Sequence, residues 1–192
     1  MSKYVSRGAY KLEGFLRCSG LDLKGSVVLD AGSSHGGFTQ AALMAGARRV
    51  YALDVGKGVL DWGLRRLPEV TVMEGVNARH ITSEFFEEPP DTAFIDLSFI
   101  SLKKVLPAVF SVTGKHVAAL LKPQFEAGYR ETSKGKGVIN DPEVHKRVLR
   151  EVREYVSNPD WEYIGSYPSR VKGRKGNREF FIYYRRRVIR PE

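Results

Sequence analysis

The sequence predicts an α/β fold: a doubly wound, mainly parallel seven-stranded sheet with a leading helix and an antiparallel C-terminal edge. Three observations carry that expectation. Short apolar runs alternate with segments of helical period along most of the chain. The run Val27-Val28-Leu29-Asp30 breaks into a glycine-bearing turn, Ala31 to Gly37, that opens a helix near Phe38. The next apolar run, Val50 to Asp54, closes on a carboxylate about two dozen residues after Asp30. A glycine turn after the first strand and an acid ending the second mark the nucleoside site of a doubly wound sheet.

Taken in order, Tyr4–Cys18 reads as a helix, with Leu12, Phe15 and Leu16 at helical spacing. Strands are expected at 27–30, 50–54, 70–73, 93–96 and 117–121, and helices between them at 37–45, 59–66 and 102–110. The last of these should bend or break at Pro107. Asp141-Pro142-Glu143 signals a helix start, Asp as N-cap and Pro in the first turn, running to about Val156. Two final strands, 161–166 and 179–184, form the antiparallel edge. The connection from Pro123 to Asn140 is too long for a routine loop, holds Gly128, Gly135 and Gly137, and leaves the ligand-bearing end of the fifth strand. It reads as a mobile substrate lid.

The 192 residues suit one domain, 1–192, with a sizeable core. The single Cys18 excludes an internal disulfide and a cysteine-based metal cluster, so no metal site is expected. No apolar run approaches the ~20 residues of a membrane span and no signal-peptide pattern opens the chain, which fits a reducing cytoplasm and no stable membrane association. The net charge is +9, and its excess gathers between Ser169 and Arg190. There Arg170, Lys172, Arg174, Lys175, Arg178, Arg185, Arg186, Arg187 and Arg190 are opposed by Glu179 alone. Such one-signed clustering points to an anionic partner, nucleic acid first among them.

Glycine spacing narrows the cofactor. A dinucleotide fingerprint needs G-x-G-x-x-G, but Ser34 stands at its second glycine; a P-loop needs Gly-Lys, and Phe38 follows Gly37. The remaining pattern, Asp30-x-Gly32-x-x-x-Gly36-Gly37, suits a nucleoside cofactor without phosphates, S-adenosyl-L-methionine. On that reading the backbone of Gly32, Ser33, Ser34 and Gly36 approaches the methionine part, where missing side chains leave room. Asp30, Gly37 and Phe38 complete the turn, and Asp54 takes the ribose hydroxyls. Asn77 is a candidate adenine contact or a turn residue, and Trp62 an adenine wall or a core side chain.

Four ionisable residues stand out by position. Asp96 ends the fourth strand, Lys122 the fifth, Glu179 opens the last, and Lys11 lies on the leading helix. Singly, each has a plain explanation: a turn cap, a solvated strand-end charge, a partner for Arg178 or Arg185. Asp96 and Lys122 nevertheless belong on one rim of the sheet, beside the cofactor turn.

Several segments, in order, carry a family resemblance. They are Tyr4-Val5-Ser6-Arg7-Gly8-Ala9-Tyr10-Lys11-Leu12, Asp30 to Thr39, Asp54-Val55-Gly56-Lys57-Gly58-Val59-Leu60-Asp61-Trp62, Ile95 to Leu102, Leu121-Lys122-Pro123-Gln124-Phe125-Glu126 and Lys172 to Glu179. Through them the chain resembles the TlyA (haemolysin A) group of RNA 2′-O-methyltransferases, within the FtsJ-like methyltransferases. The resemblance implies a Rossmann-like class I methyltransferase domain acting on a ribose 2′-hydroxyl of RNA, ribosomal RNA foremost. It places a Lys–Asp–Lys–Glu catalytic tetrad on Lys11, Asp96, Lys122 and Glu179, with Asp96 also beside the cofactor. A neutral Lys122 would take the hydroxyl proton and a charged one would orient the oxygen; Asp96 would position Lys122, and Glu179 one of the lysines. Arg7, Arg170, Lys172, Arg174 and Lys175 are the implied RNA contacts. Family members usually carry an N-terminal S4-like RNA-binding module, and this sequence starts at the methyltransferase segment. Either that module lies outside this sequence or is supplied by a partner, or another element replaces it, with the basic C-terminal third as the candidate. The alternative is a non-catalytic RNA-binding or haemolysin-like membrane-active protein, which has no need of the tetrad. A nicotinamide oxidoreductase is opposed by the glycine spacing.

Overall fold

The computed structural model describes residues 3–156 and 158–188. In chain order its elements are α1 (Gly8–Ser19), β1 (Val27–Ala31), α2 (Gly37–Met44), β2 (Arg49–Asp54), α3 (Trp62–Arg65), β3 (Val70–Glu74), β4 (Thr92–Ile95) and α4 (Leu106–Val112). There follow β5 (His116–Leu121), α5 (Pro123–Glu126), α6 (Tyr129–Lys134), α7 (Pro142–Tyr155), β6 (Trp161–Pro168) and β7 (Phe180–Arg186). The sheet order is β3-β2-β1-β4-β5-β7-β6. The first five strands run parallel, and β7 lies antiparallel between β5 and β6. The expected seven strands and antiparallel edge are both present.

The sheet is covered on both faces, which is why its central strands read as unbroken apolar runs. Val27, Leu29 and Ala31 of β1 enter one core with Leu106, Val109 and Phe110 of α4 and Val148 and Val152 of α7. Val28, at the opposite phase, enters the other core with Leu12 and Phe15 of α1 and Phe38, Ala41 and Ala42 of α2. The strand period of two thus divides one apolar run between two cores.

Local chemistry sets the helix ends. The N–H of Gly20, at φ +70°, returns to the Leu16 carbonyl and closes α1. Asp141 accepts the Glu143 N–H at 2.9 Å and Pro142 takes the first turn of α7, as the sequence signal implied. A 3-10 turn, Leu102–Lys104, precedes α4, whose first turn holds Pro107, so the expected break falls ahead of the proline.

Three expectations are corrected. The leading helix starts at Gly8 rather than Tyr4. The helix expected at 59–66 shrinks to Trp62–Arg65, with Asp61 capping Gly63 and Leu64. The connection 123–140, expected to lack secondary structure, holds two short helices, α5 and α6. Trp62 is 69% exposed and belongs to no core. Arg190, part of the basic run, lies outside the described residues. Among the described residues no helix is long and apolar enough to cross a membrane, and no group of His, Cys, Asp and Glu is arranged to hold a metal ion.

Candidate active site

The carboxyl ends of β1, β4 and β5 share one rim, where α1 and the loop before β7 close over them. There four charged side chains form a continuous chain. Lys11 Nζ stands 2.7 Å from Glu179 Oε2 and 3.8 Å from Asp96 Oδ2. Lys122 Nζ stands 2.6 Å from Asp96 Oδ1 and donates a hydrogen bond to Ser98 Oγ at 3.1 Å. Lys122 and Glu179 are buried, Lys11 and Asp96 partly so. Two positive and two negative groups balance formally, which makes their joint burial tolerable. The contacts of Asp96 Oδ1 and Glu179 Oε2 are ion pairs without hydrogen-bond geometry, so both oxygens retain acceptor capacity.

All four line one cavity of about 740 Å³. Ser6, Arg7, the turn residues Gly32 to Ser34 and Phe38 also line it, as do Thr132 and Gly137 before α7 and Arg174, Lys175 and Asn177 before β7. The volume lies in the range that takes a ligand of nucleoside-cofactor size.

The glycine turn is held from within the protein. The N–H groups of Gly32 and Ser33 both donate to the Leu53 carbonyl, at 2.8 and 3.0 Å. A Cβ on Gly32, at φ +96°, would lie 2.7 Å from the Asp96 carbonyl oxygen; one on Gly36, at φ +91°, would lie 2.4 Å from Leu64 Cδ1. On their Cβ side these glycines meet Asp96, just past β4, and Leu64 of α3, while Gly32 also lines the cavity. Ser33 Oγ is buried on the cavity-lining turn without a hydrogen-bond partner.

Other predicted residues occupy different places. Asp54 accepts the Ser34 N–H at 2.9 Å through Oδ2 and the Gly56 N–H at 2.8 Å through Oδ1, fastening the turn to β2; it lies outside the cavity wall. Asn77 accepts the Arg79 N–H at 3.1 Å, a turn role. Phe38 lines the cavity and stacks on Phe181, with ring centroids 5.9 Å apart, so it serves the core as well. Asp30 is fully buried and accepts from Thr39 Oγ1 at 2.6 Å, its Oδ1 unpartnered. Burial, reinforced by Asp96 and Asp54, pushes its carboxyl up to about 7 against the pull of the Thr39 hydroxyl.

Of the basic residues, Arg7, Arg174 and Lys175 line the cavity; Arg170 and Lys172 do not. Arg170 lies along α1, where a Cβ on Gly14 would touch its side chain at 3.4 Å, and it donates to Cys18 Sγ at 3.8 Å.

Sequence reasoning missed Ser98 as the partner of Lys122. It also missed Phe99, which is 90% exposed at φ +64° with its ring 5.1 Å from that of Phe125. A bulky residue at positive φ is uncommon and was not signalled by any local pattern. Phe99, Gln124 and Phe125 also wall an adjoining cavity of about 650 Å³ that Arg79, Ser101 and Lys104 share. Glu126 accepts from Ser101 Oγ at 2.6 Å and the Leu102 N–H at 2.7 Å, holding this loop in place. Burial raises its carboxyl above the usual range, despite those two hydrogen bonds.

A doubly wound sheet with a fastened glycine turn and a charged cavity on the same rim defines an α/β enzyme whose ligands sit at the carboxyl ends of its strands. Residues 4–186 match the model of the FtsJ-like methyltransferases, and the chain belongs to that family. It is 42% identical over 184 residues to YqxC of Bacillus subtilis, covering 94% of this chain and 65% of that protein. It is 41% identical over 189 residues to the 16S/23S rRNA (cytidine-2′-O)-methyltransferase TlyA of Mycobacterium tuberculosis, covering 97% of this chain and 70% of that protein. The crystal structure of a hemolysin-named protein from Lactococcus lactis superposes with a TM-score of 0.91 at 41% identity, over 96% of this chain and 89% of that one.

Proposed function

We propose that the chain transfers a methyl group from S-adenosyl-L-methionine to a ribose 2′-hydroxyl of RNA, with ribosomal RNA as the substrate, in the cytoplasm. The observation that carries this reading is the Glu179–Lys11–Asp96–Lys122 chain of ion pairs over one cavity beside the glycine turn. The cavity suits the cofactor in size and in donor set: an unpartnered Ser33 Oγ on the turn, and the carboxylates of Asp96 and Glu179, which would favour a cationic sulfonium. When bound, the cofactor supplies an electrophilic methyl carbon, which needs neither metal nor covalent enzyme intermediate.

The protein's part is to hold the hydroxyl in line and manage its proton. Holding two reactants at attack distance supplies roughly 7–11 kcal/mol of the barrier. Lys122 Nζ would stand beside the acceptor oxygen: as the ammonium paired with Asp96 it orients that oxygen, and once it has given a proton to solvent the neutral amine takes the hydroxyl proton and restores the ion pair. Ser98 Oγ fixes the direction of the Lys122 amine. Lys11, held by Glu179, keeps Asp96 in place from the other side. Arg7, Arg174 and Lys175 on the cavity wall, and Arg79 and Lys104 on the adjoining cavity, would meet phosphates of the bound RNA.

The test is incubation of the chain with ribosomal subunits and labelled methyl donor, then nuclease digestion and mass analysis. A 2′-O-methylated nucleoside is expected. Label in a base, or none in RNA of either subunit, would overturn the reading.

A further inference from the structure

We infer that Asn177 is a positioning residue: its buried amide clasps the segment Gly137–Ile139 to the loop that carries Glu179, and so sets the two walls of the substrate side of the cavity relative to each other. This rests on the reaction proposed above and assigns a role to a residue outside the tetrad.

Asn177 is 2% exposed. Its Oδ1 accepts the Ile139 N–H at 2.9 Å, and its Nδ2 donates to the Gly137 carbonyl at 2.8 Å. One side chain thereby satisfies a donor and an acceptor of a segment that lies in no helix or strand, as a strand neighbour would. The segment is held from the far side too. His145 Nε2 of α7 bonds the Ile139 carbonyl at 2.9 Å, and its buried ring packs against Phe180, centroids 5.3 Å apart. Gly137 in turn donates its N–H to the Thr132 carbonyl at 2.8 Å, which carries the registration into α6.

At the other end, the Asn177 carbonyl accepts the Gly173 N–H at 2.9 Å, closing the loop 173–177. That loop wraps the Glu179 carboxylate closely: a Cβ on Gly173 would lie 2.5 Å from Glu179 Oε1. Thr132 and Gly137 on one segment, and Gly173, Arg174 and Lys175 on the other, face the same cavity. Among the described residues the amide makes both hydrogen bonds between the two segments at that point, beside the Lys175 side chain, which lies 3.8 Å from where a Cβ on Gly137 would stand. Loss of registration would move Glu179 relative to Lys11, and hence Asp96 and Lys122, while the glycine turn on β1 keeps its own bonds to Leu53.

The experiment compares wild type with Asn177→Ala in steady-state methylation, calorimetric cofactor binding, and amide hydrogen exchange at Ile139. The alanine variant is expected to lose protection at Ile139 and to lower kcat roughly ten- to a hundredfold, with cofactor affinity unchanged. Asn177→Asp, which keeps the acceptor for the Ile139 N–H and gives up the donor to Gly137, should fall between the two. It also carries the comparison if the alanine variant does not fold. A structural prop alone would lower the melting temperature and leave kcat of the folded protein at the wild-type value, and that result would overturn the inference, as would undiminished protection at Ile139. The two readings fail separately: a wild-type chain inactive on RNA overturns the assigned reaction, whereas an active wild type matched by an equally fast Asn177→Ala overturns the positioning role.

Discussion

Asp30 lies in β1, an interior strand of the sheet, with no exposed surface, one oxygen on Thr39 and the other without a partner. Its folded value, about 7, stands above the ordinary 3.8, so the folded protein holds a proton there that the unfolded chain releases between those limits. The stability contribution is whole below about 4 and is lost as pH rises toward 7, with a ceiling of roughly 4 kcal/mol. Asn at this position keeps an acceptor for Thr39 and cannot ionise. Melting temperatures taken in pH steps should therefore fall less steeply for Asp30→Asn than for wild type across that window; parallel curves would refute the assignment. Lys122 stands at the opposite extreme, buried yet on the cavity wall. Its ammonium touches Asp96 and Ser98 and no residue of the glycine turn by hydrogen bond. Lys122→Ala should cost at least about a hundredfold in methyl transfer while leaving cofactor binding nearly intact. Calorimetry showing lost cofactor binding in that variant would move Lys122 from the acceptor to the cofactor. Both residues could be singled out from sequence by position at a strand end, but their surroundings could not. Nothing local to Val27-Val28-Leu29-Asp30 announces that α2 will set Thr39 against that carboxylate, and nothing near Lys122 announces Ser98.

Elements were legible in proportion to their length and to the strength of their end signals. α7 is a full 14 residues with an Asp cap and a proline in its first turn, and both the start and the end were read within a residue or two. The cap bond, Glu143 N–H to Asp141 Oδ1 at 2.9 Å, is solvent-exposed, and Asp141→Ala should destabilise the fold by about 1 kcal/mol. Chemical denaturation reads this directly, and Asp141→Ser should restore most of the loss; no change in midpoint for the alanine variant would mean the proline alone fixes the start. The segment 123–140 failed to announce itself for the complementary reason. α5 and α6 hold four and six residues, too few for a helical period to register, and their glycines and charges look like those of an open loop. What orders the segment is tertiary: Glu126 on Ser101 and Leu102, Asn177 on Gly137 and Ile139, His145 on Ile139. The Glu126 and Asn177 bonds join residues 24 to 40 positions apart, beyond any local window, and the His145 bond, only six apart, depends on where α7 turns its ring.

At the scale of the whole molecule, the +9 charge is organised by strand direction. The basic residues between 169 and 187 are neighbours in sequence, and a single cationic surface was expected from them. β7 separates them. Its register pairs Phe180 with Leu121 at the cavity end of β5 and Arg185 with His116 at the opposite end, so Arg174 and Lys175 face the cavity while Arg185 and Arg186 sit about 20 Å away across the sheet. There Arg185 pairs with Glu162 at 2.9 Å, and Arg186 donates to the Thr113 carbonyl at 3.3 Å and lies over the Trp161 ring. These contacts account for the second group as part of the sheet's antiparallel edge, and the first group faces the cavity where the proposed RNA substrate would bind. The two groups are therefore expected to behave differently. Replacing Arg174 and Lys175 together by alanine should weaken RNA binding and flatten the dependence of log affinity on log salt by roughly 1.5, as loss of two phosphate contacts would. The matched pair Arg185→Ala with Arg186→Ala should leave affinity and slope as they were, because neither side chain reaches the rim where the acceptor ribose must lie. Equal losses from both pairs, measured by salt-titrated filter binding, would mean that RNA wraps the sheet edge as well and that the cavity rim alone does not define the interface.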